Sequence, residues 1–153
     1  MKKRIFEGLE EIEKIINKCE VCYLGMTDKE NKPYVLPFNF GYNNKCIYLH
    51  SAKEGKKIDI LRNNNNVSVA FSTGHQLANQ NEDVACSYGM KYKSVVAFGK
   101  VVFIDDFEKK KEAMNIIMQK YAGRDFTFSN PAINNVEVYK VVIEKITGAE
   151  RGY

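Results

Sequence analysis

Alternating apolar positions in the first half of the chain predict β-strands. Residues 21–27 form a short run rich in β-forming residues that ends at a polar turn. In the next run, 34–42, every second residue is large and apolar, so one face of this strand is wholly apolar. A turn at Asn43 and Asn44 leads into 45–51, its predicted hairpin partner. The apolar face carries Tyr34, Leu36, Phe38, Phe40 and Tyr42.

The second half continues the strand pattern. Residues 66–73 alternate, whereas the polar segment 74–83 has no period and is predicted to be a loop. Residues 84–105 are strand-like and predict one long strand or two shorter ones. The segment 136–147 alternates again and predicts the last strand.

Three segments have helical spacing instead. The opening segment places Ile5, Leu9, Ile12 and Ile16 four, three and four residues apart, which predicts an N-terminal helix. A short helix is predicted over 53–63, after the third strand. A late helix is predicted to begin at Asp105, with Glu108 completing a capping box, and to end at Gly123. Its apolar face carries Met114, Ile117, Met118 and Tyr121.

These elements predict a mainly β fold with flanking helices in a single domain, residues 1–153. The six or seven strands are mostly joined by hairpins and do not alternate regularly with helices, which favours an antiparallel barrel over a parallel sheet. The apolar faces exceed the need of a small barrel interior. This apolar set consists of 34–42 together with Tyr139, Val141 and Ile143, and we expect some of its members to face a partner subunit.

Composition narrows the function classes. The 153 residues are 44% hydrophobic and 27% charged, which is typical of a globular protein that needs no disulfides. The net charge of +4 is small and scattered, so we expect no nucleic-acid partner, although it suits a small anionic ligand. Acidic residues interrupt the opening segment, and no apolar stretch is long enough to span a membrane. With four cysteines interpreted as reduced thiols, we expect a cytoplasmic protein without a membrane partner.

Cys19 and Cys22 form a CxxC pair with three possible interpretations. Structural zinc needs a second ligand pair, which Cys46, Cys86 and the histidines do not supply at a suitable spacing. A thioredoxin-like pair would open a helix, whereas this one closes a helix and enters a strand. We favour buried, apolar cysteines and predict no metal site.

Three features in the first half suggest a ligand site. Pro37 interrupts a strand and cannot donate to a ladder, so this strand lies at an edge, bulges, or presents its backbone to a ligand. His50 ends the hairpin partner, where a histidine is either structural or a ligand contact. Gly55, Lys56 and Lys57 begin a short helix, whose N-terminus favours an anion, although paired lysines also occur on solvated faces.

Four motifs in this order resemble a known family. The segments CEVCYLGM, KPYVLPFNFGY, IYLHSAKEGKKIDIL and ACSYGMKYKSVVAFGKV are similar to the nitroimidazole-reductase branch of the pyridoxamine 5'-phosphate oxidase-like flavoproteins. The resemblance runs from about Cys19 to Tyr121 and resumes at 136–148. It implies a six-stranded antiparallel split β-barrel that forms a homodimer with FMN at the subunit interface.

The resemblance also implies roles for particular residues. The backbone of 36–39 would line the flavin ring, Lys56 and Lys57 would hold its phosphate with Ser51 nearby, and His50 would lie beside the flavin as the candidate catalytic residue. Ser94 stands where the oxidases carry a flavin-contacting glutamine, which would shorten or remove that contact. The oxidase Arg–Lys phosphate pair is not evident in the second strand, which argues against pyridoxamine phosphate as substrate. The implied cofactor-binding set is Leu36, Pro37, Phe38, Asn39, His50, Ser51, Lys56, Lys57, Tyr92 and Ser94.

Two functions from different classes remain open at this point. One is an FMN-dependent oxidoreductase that reduces a small, electron-poor substrate such as a nitroimidazole. The other is a flavin-binding protein without turnover that serves storage, sensing or electron exchange. The same residues would hold FMN in both, so the sequence specifies neither the physiological substrate nor the electron donor.

Overall fold

The computed structural model describes residues 1–153, which form eight strands, four α-helices and one 3-10 turn. The strands are β1 (Lys3–Phe6), β2 (Cys22–Thr27), β3 (Pro33–Phe38), β4 (Gly41–Asn43), β5 (Cys46–Ala52), β6 (Asn66–Ala78), β7 (Gly89–Phe103) and β8 (Val136–Arg151). The helices are α1 (Leu9–Lys18), α2 (Lys56–Asn63), α3 (Phe107–Ala122) and α4 (Asn130–Asn134), with the 3-10 turn at Ala85–Ser87. The predicted mainly β class with flanking helices is confirmed.

All strands pair antiparallel in one sheet. The order is β3-β2-β6-β7-β8-β5-β4, and β1 pairs with β8 off this path. The two end strands, β3 and β4, are separated along the chain only by Asn39 and Phe40. The sheet therefore curls until its ends meet, and the covalent chain joins them there.

The predicted strand over 34–42 is broken at Asn39 and Phe40 for a local reason. The backbone N–H of Phe40 donates to the hydroxyl of Tyr121 on α3 at 2.9 Å instead of to a strand, and that hydroxyl donates to the carbonyl of Glu20 at 2.7 Å. Gly41 then lies against the backbone of α3, where an added Cβ would come within 2.8 Å of Ile116 and Ile117. A helix on the outside of the barrel thus fixes the break.

The core fills the barrel, and a smaller cluster lies outside it. The inward face of 34–42 packs as predicted, with Phe38 and Phe40 buried. Cys19 and Cys22 are buried free thiols in the same core, which confirms them as apolar cysteines, and burial raises the pKa of Cys22 to about 12. The smaller cluster packs α3 and α4 against β8 and consists of Ala113, Met114, Ile117, Ile133 and Val138.

The N-terminal segment is only partly helical. Ile5, which fits the helical spacing, lies in β1 opposite Ala149 of β8 and is 65% exposed. The helix begins at Leu9, and its buried face consists of Ile12, Ile15 and Ile16. The prediction of helix at Ile5 was wrong because the four residues of β1 pair with the free edge of β8. The local spacing of apolar residues cannot indicate a partner so distant in sequence.

Three other boundaries differ from the predictions. The predicted loop 74–83 is strand as far as Ala78, because β6 continues past a bulge between Thr73 and Gln76 and pairs with β7. Its exposed side chains give no apolar period. The N-cap of α3 is Asp106, whose carboxylate accepts from Lys109 N, so the capping box with Glu108 does not form. The β4–β5 turn is centred one residue later than predicted, at Asn44 and Lys45, both with positive φ.

The exposed apolar surface includes the outward side of 34–42 but not Tyr139 or Val141. Tyr139 and Val141 are fully buried within one chain, so they are not among the residues that could face a partner subunit. Two rows cross the outer face of β3, β2, β6 and β7 instead, where cross-strand neighbours point to the same side. They are Pro37-Tyr23-Ala70-Val96 and Val35-Gly25-Ser68-Phe98, which we call the outer apolar strip.

Candidate functional site

The end of β3 and the start of α2 lie side by side, and the two lysines of α2 contact this strand. Lys56 Nζ lies 4.5 Å from the ring centre of Tyr34, and Lys57 Nζ lies 5.3 Å from that of Phe38. Lys56 is exposed and Lys57 is half-buried. The aromatic faces hold both ammonium groups by cation–π attraction without neutralising them. The pair therefore remains available to an anion.

The backbone before these lysines also suits an anion. Gly55, the residue before the first turn of α2, has φ 134° and ψ 173°, a conformation that is open essentially only to glycine. The N–H groups in the first turn of any α-helix have no intrahelical partner, and in α2 no side chain caps them. They are therefore free to bind an anion. An added Cβ at Gly55 would meet nothing within 4 Å, so the approach to this helix end is open.

His50 lies on β5, close enough to α2 to feel its charge. It is half-buried and pairs with Val138 of β8. Burial, with a contribution from the positive charge of Lys57, lowers the pKa of His50 below its ordinary value. The imidazole is therefore neutral at physiological pH and can accept or donate a hydrogen bond at this edge.

The lowered pKa of His50 predicts a pH dependence of stability. The unfolded chain keeps the ordinary value of 6.5, so protonation below that pH favours the unfolded state. We expect the free energy of unfolding to fall as the pH drops through this value toward the lower pKa of the folded protein. Urea unfolding at about pH 7.5 and about pH 5.5 measures it. His50→Gln should lose less stability than wild type over this interval, and an equal loss in both proteins would contradict the assignment.

Ser51, next to His50, accepts a hydrogen bond from a buried tyrosine. The hydroxyl of Tyr139 on β8 donates to Ser51 Oγ at 3.1 Å, and Ser51 donates to the carbonyl of Ala52 at 3.0 Å. Burial raises the pKa of Tyr139 to about 12. The Tyr139 ring also meets Phe38 edge-on, with 6.4 Å between ring centres. Ser51, Phe38 and, through Phe38, Lys57 thus form one connected cluster.

An ion pair ties the far end of α2 to the sheet. Arg62 Nη2 lies 3.3 Å from the carboxylate of buried Glu137, and its guanidinium lies 3.9 Å from the ring centre of Phe103. The ring of Phe103 in turn packs on Tyr139, at 5.4 Å between centres. Removing Arg62 would leave the buried carboxylate of Glu137 without a partner, whereas Arg62 is exposed and would stay solvated without Glu137. This pair therefore fixes the orientation of the helix that carries Lys56 and Lys57.

Pro37 is tolerated in β3 because this strand lies at an edge of the sheet. β3 is an end strand of the sheet, so one side of its backbone has no strand partner and a proline there costs no ladder bond. Pro37 and Asn39 are exposed, whereas Leu36 packs against the core. The free edge of β3 can therefore present its backbone to a flat ligand.

Tyr92 and Ser94 are not brought to this cluster within one chain. Ser94 pairs with Ala149 on β8, whereas His50 pairs with Val138 on the same strand. These partners are separated by roughly 35 Å along β8 at the usual rise per residue. Tyr92 and Ser94 share the parity of Val96 and Phe98 on β7 and so continue the outer apolar strip.

A groove lies beside Lys56, next to the site. It has a volume of about 490 Å³ and runs between the β2–β3 turn and α2. It includes Lys56 but not Lys57, His50 or Ser51. Its lining consists of Asp28, Lys29, Glu30, Gly55, Lys56, Asp59, Ile60 and Asn63.

Tyr139, Arg62 and Glu137 contribute to the site but were not predicted from the sequence. The signal for Tyr139 was a hydroxyl in an otherwise apolar row of a strand, since a buried tyrosine hydroxyl normally requires a partner. For Glu137 it was a carboxylate on that same inward face. No three His, Cys, Asp or Glu side chains are grouped to hold a metal ion. None of the helices combines the length and the apolar character that crossing a bilayer requires.

Comparison with known proteins identifies the family. The model of the pyridoxamine 5'-phosphate oxidase family matches residues 9–150. A candidate 5-nitroimidazole antibiotic resistance protein from Bacteroides thetaiotaomicron is 45% identical, with 97% of this chain and 87% of that chain covered and a TM-score of 0.87. Among curated proteins, none is significantly similar in sequence.

More distant structures share the fold. An FAD-binding protein from Mesorhizobium loti is 24% identical, with 99% and 100% of the two chains covered and a TM-score of 0.73. A flavocytochrome from Azotobacter vinelandii is 17% identical, with 97% of this chain and 70% of that chain covered and a TM-score of 0.82. The matched range, the 45% identity and the shared fold together confirm the resemblance seen in the sequence motifs, and the chain belongs to the pyridoxamine 5'-phosphate oxidase family.

Proposed function

We propose that this protein is an FMN-dependent oxidoreductase that reduces a small, electron-poor substrate of the nitroimidazole type. The observation that carries the proposal is the cluster of Phe38, Ser51 and Lys57 at one edge of the barrel, with His50 next to Ser51 on β5 and under the charge of Lys57, in a chain 45% identical to a candidate nitroimidazole resistance protein. We expect the protein to work in the cytoplasm, since all four cysteines are free.

The residues at this edge fit FMN in three respects. Lys56, Lys57 and the uncapped start of α2 offer charge and N–H groups to a phosphate. The free edge of β3 offers backbone groups to the flavin ring. Ser51 retains a hydroxyl that can turn toward the ligand while Tyr139 continues to hold it.

Within this site the protein binds, orients and handles protons. Bound FMN would supply the two-electron redox chemistry between a donor such as NADH or NADPH and the substrate. Lys56 and Lys57 hold the phosphate, and the 36–39 backbone sets the edge of the ring. His50, neutral at physiological pH, is the candidate to orient the substrate or exchange a proton with it.

The second half of the site would come from a second copy of the chain. The outer apolar strip includes side chains such as Phe98, which is 49% exposed, and an isologous dimer is the commonest way to cover such a surface. Tyr92 and Ser94 lie on the same face as the strip. Their partners on β8 are far along that strand from Val138, the partner of His50. A dimer through the strip could bring Tyr92 and Ser94 of one copy to the His50 edge of the other.

The test is turnover by the FMN-loaded protein. After anaerobic reduction with NADH or NADPH, a nitroimidazole should reoxidise the flavin faster than an equal concentration of dissolved oxygen does. His50→Ala should keep bound FMN and lose about tenfold or more in this rate. A protein that binds FMN but transfers no electrons to the nitro acceptor would instead support the flavin-binding alternative without turnover, and unchanged turnover in His50→Ala would remove His50 from the mechanism.

A further inference from the structure

Tyr139 is the one side chain that contacts both the serine and the aromatic residue of the proposed flavin site. It is fully buried near the start of β8, and its cross-strand partner is Leu49 of β5. Its hydroxyl donates to Ser51 Oγ at 3.1 Å. Its ring meets the ring of Phe38 edge-on, with an interplanar angle of 82°. Nothing in the strand pattern beyond its hydroxyl distinguishes it from the apolar residues around it.

The direction of the hydrogen bond determines what Ser51 can do. Because the tyrosine proton occupies one acceptor site of Ser51 Oγ, the serine's own proton points elsewhere, and it goes to the carbonyl of Ala52 in the absence of ligand. Ser51 can transfer this donation to an anionic oxygen without breaking the bond from Tyr139. Tyr139 stays a donor over the physiological range because burial raises its pKa to about 12.

The ring of Tyr139, unlike its hydroxyl, contacts Phe38. Phe38 ends β3, and Lys57 Nζ lies 5.3 Å from the centre of its ring. Phe103 also packs against the Tyr139 ring, at 5.4 Å between centres, and carries Arg62 on its own face. The ring is therefore fixed between two aromatic neighbours, and it fixes the ring on which Lys57 rests.

We propose that Tyr139 is a positioning residue of the flavin site, which orients the Ser51 hydroxyl toward the ligand and holds Phe38 beneath Lys57. The proposal rests on the proposed function. Tyr139 itself has no exposed surface and makes no contact with the ligand. Its effect on FMN therefore passes through Ser51 and Phe38, and this separates it from a residue that only fills the core.

A double-mutant cycle tests the hydroxyl. Tyr139→Phe keeps the ring and removes the donor, so we expect the Kd for FMN, measured by flavin fluorescence quenching, to rise about three- to tenfold. In a Ser51→Ala background the same change should have almost no further effect, because the hydroxyl acts through Ser51. Equal effects in both backgrounds, or an unchanged Kd in Tyr139→Phe, would overturn the proposal.

A matched tyrosine controls for packing. Tyr42 also carries a buried hydroxyl, but that hydroxyl makes no hydrogen bond to any residue of the proposed flavin site. Tyr42→Phe should leave the Kd for FMN within about twofold of wild type, since it removes no bond to the site. A rise in Kd equal to that of Tyr139→Phe would assign both effects to the core and overturn the proposal. If the wild-type protein binds no FMN, the proposed function is overturned as well. If the wild type binds FMN and Tyr139→Phe binds it with the same Kd, only this inference is overturned.

Discussion

Replacing Lys56 and Lys57 together with alanine should weaken FMN binding by about a hundredfold or more. Each ammonium group would form a charge-assisted hydrogen bond with the phosphate, and such bonds contribute about 1.5–3 kcal/mol each. Neither lysine has a carboxylate partner in an ion pair, so the substitutions leave no buried charge behind. Titration of the apoprotein with FMN measures the loss.

A matched pair of lysines separates phosphate binding from net charge. Lys14 and Lys18 lie on α1 and are exposed, so Lys14→Ala with Lys18→Ala changes the net charge by the same amount. This control should bind FMN within about twofold of wild type. Equal weakening in both double variants would indicate a general field effect, and an unchanged Kd in the Lys56 and Lys57 variant would remove α2 from the phosphate site.

Introducing a charge into the outer apolar strip should separate the proposed dimer and release FMN with it. Phe98 is 49% exposed at the β7 end of the strip, so glutamate there faces water in a single chain and does not disturb its core. Across an isologous interface the same change buries two like charges near each other. We expect Phe98→Glu to elute as a monomer with unchanged far-ultraviolet circular dichroism and an FMN affinity at least about tenfold lower.

A surface residue away from the strip controls for charge alone. Val84 is 46% exposed and precedes the 3-10 turn, outside the sheet. Val84→Glu should keep the wild-type elution volume and FMN affinity. A monomeric wild type, or a Phe98→Glu protein that still dimerises and binds FMN normally, would contradict the assignment of the strip to a subunit interface.

The sequence predicted the parts of this fold that depend on local pattern. The alternation over 34–42 identified the inward face correctly, and the Gly-Lys-Lys sequence marked the start of α2. Elements that depend on distant partners were missed. Residues 3–6 become a strand only because β8 offers a free edge, and 74–78 extend β6 only because β7 runs alongside.

The candidate site divides in the same way. Lys56, Lys57, His50 and Ser51 are close in sequence, so a hairpin strand followed by a helix brings them together in any arrangement of the barrel. Tyr139 joins them through β8, which is distant in sequence, and no local signal specifies which strand pairs with β5. The sequence could not separate buried Tyr139 from residues that face a partner, because an apolar strand buried on both faces has the same pattern as one that covers a partner.

The measurement that tests the central claim most directly is the visible absorption spectrum of the purified protein, with the released chromophore identified by mass. We predict a yellow protein that releases FMN at one molecule per chain on denaturation. A colourless protein that also fails to bind added FMN would contradict the flavin site, and release of a different chromophore would contradict FMN as its occupant.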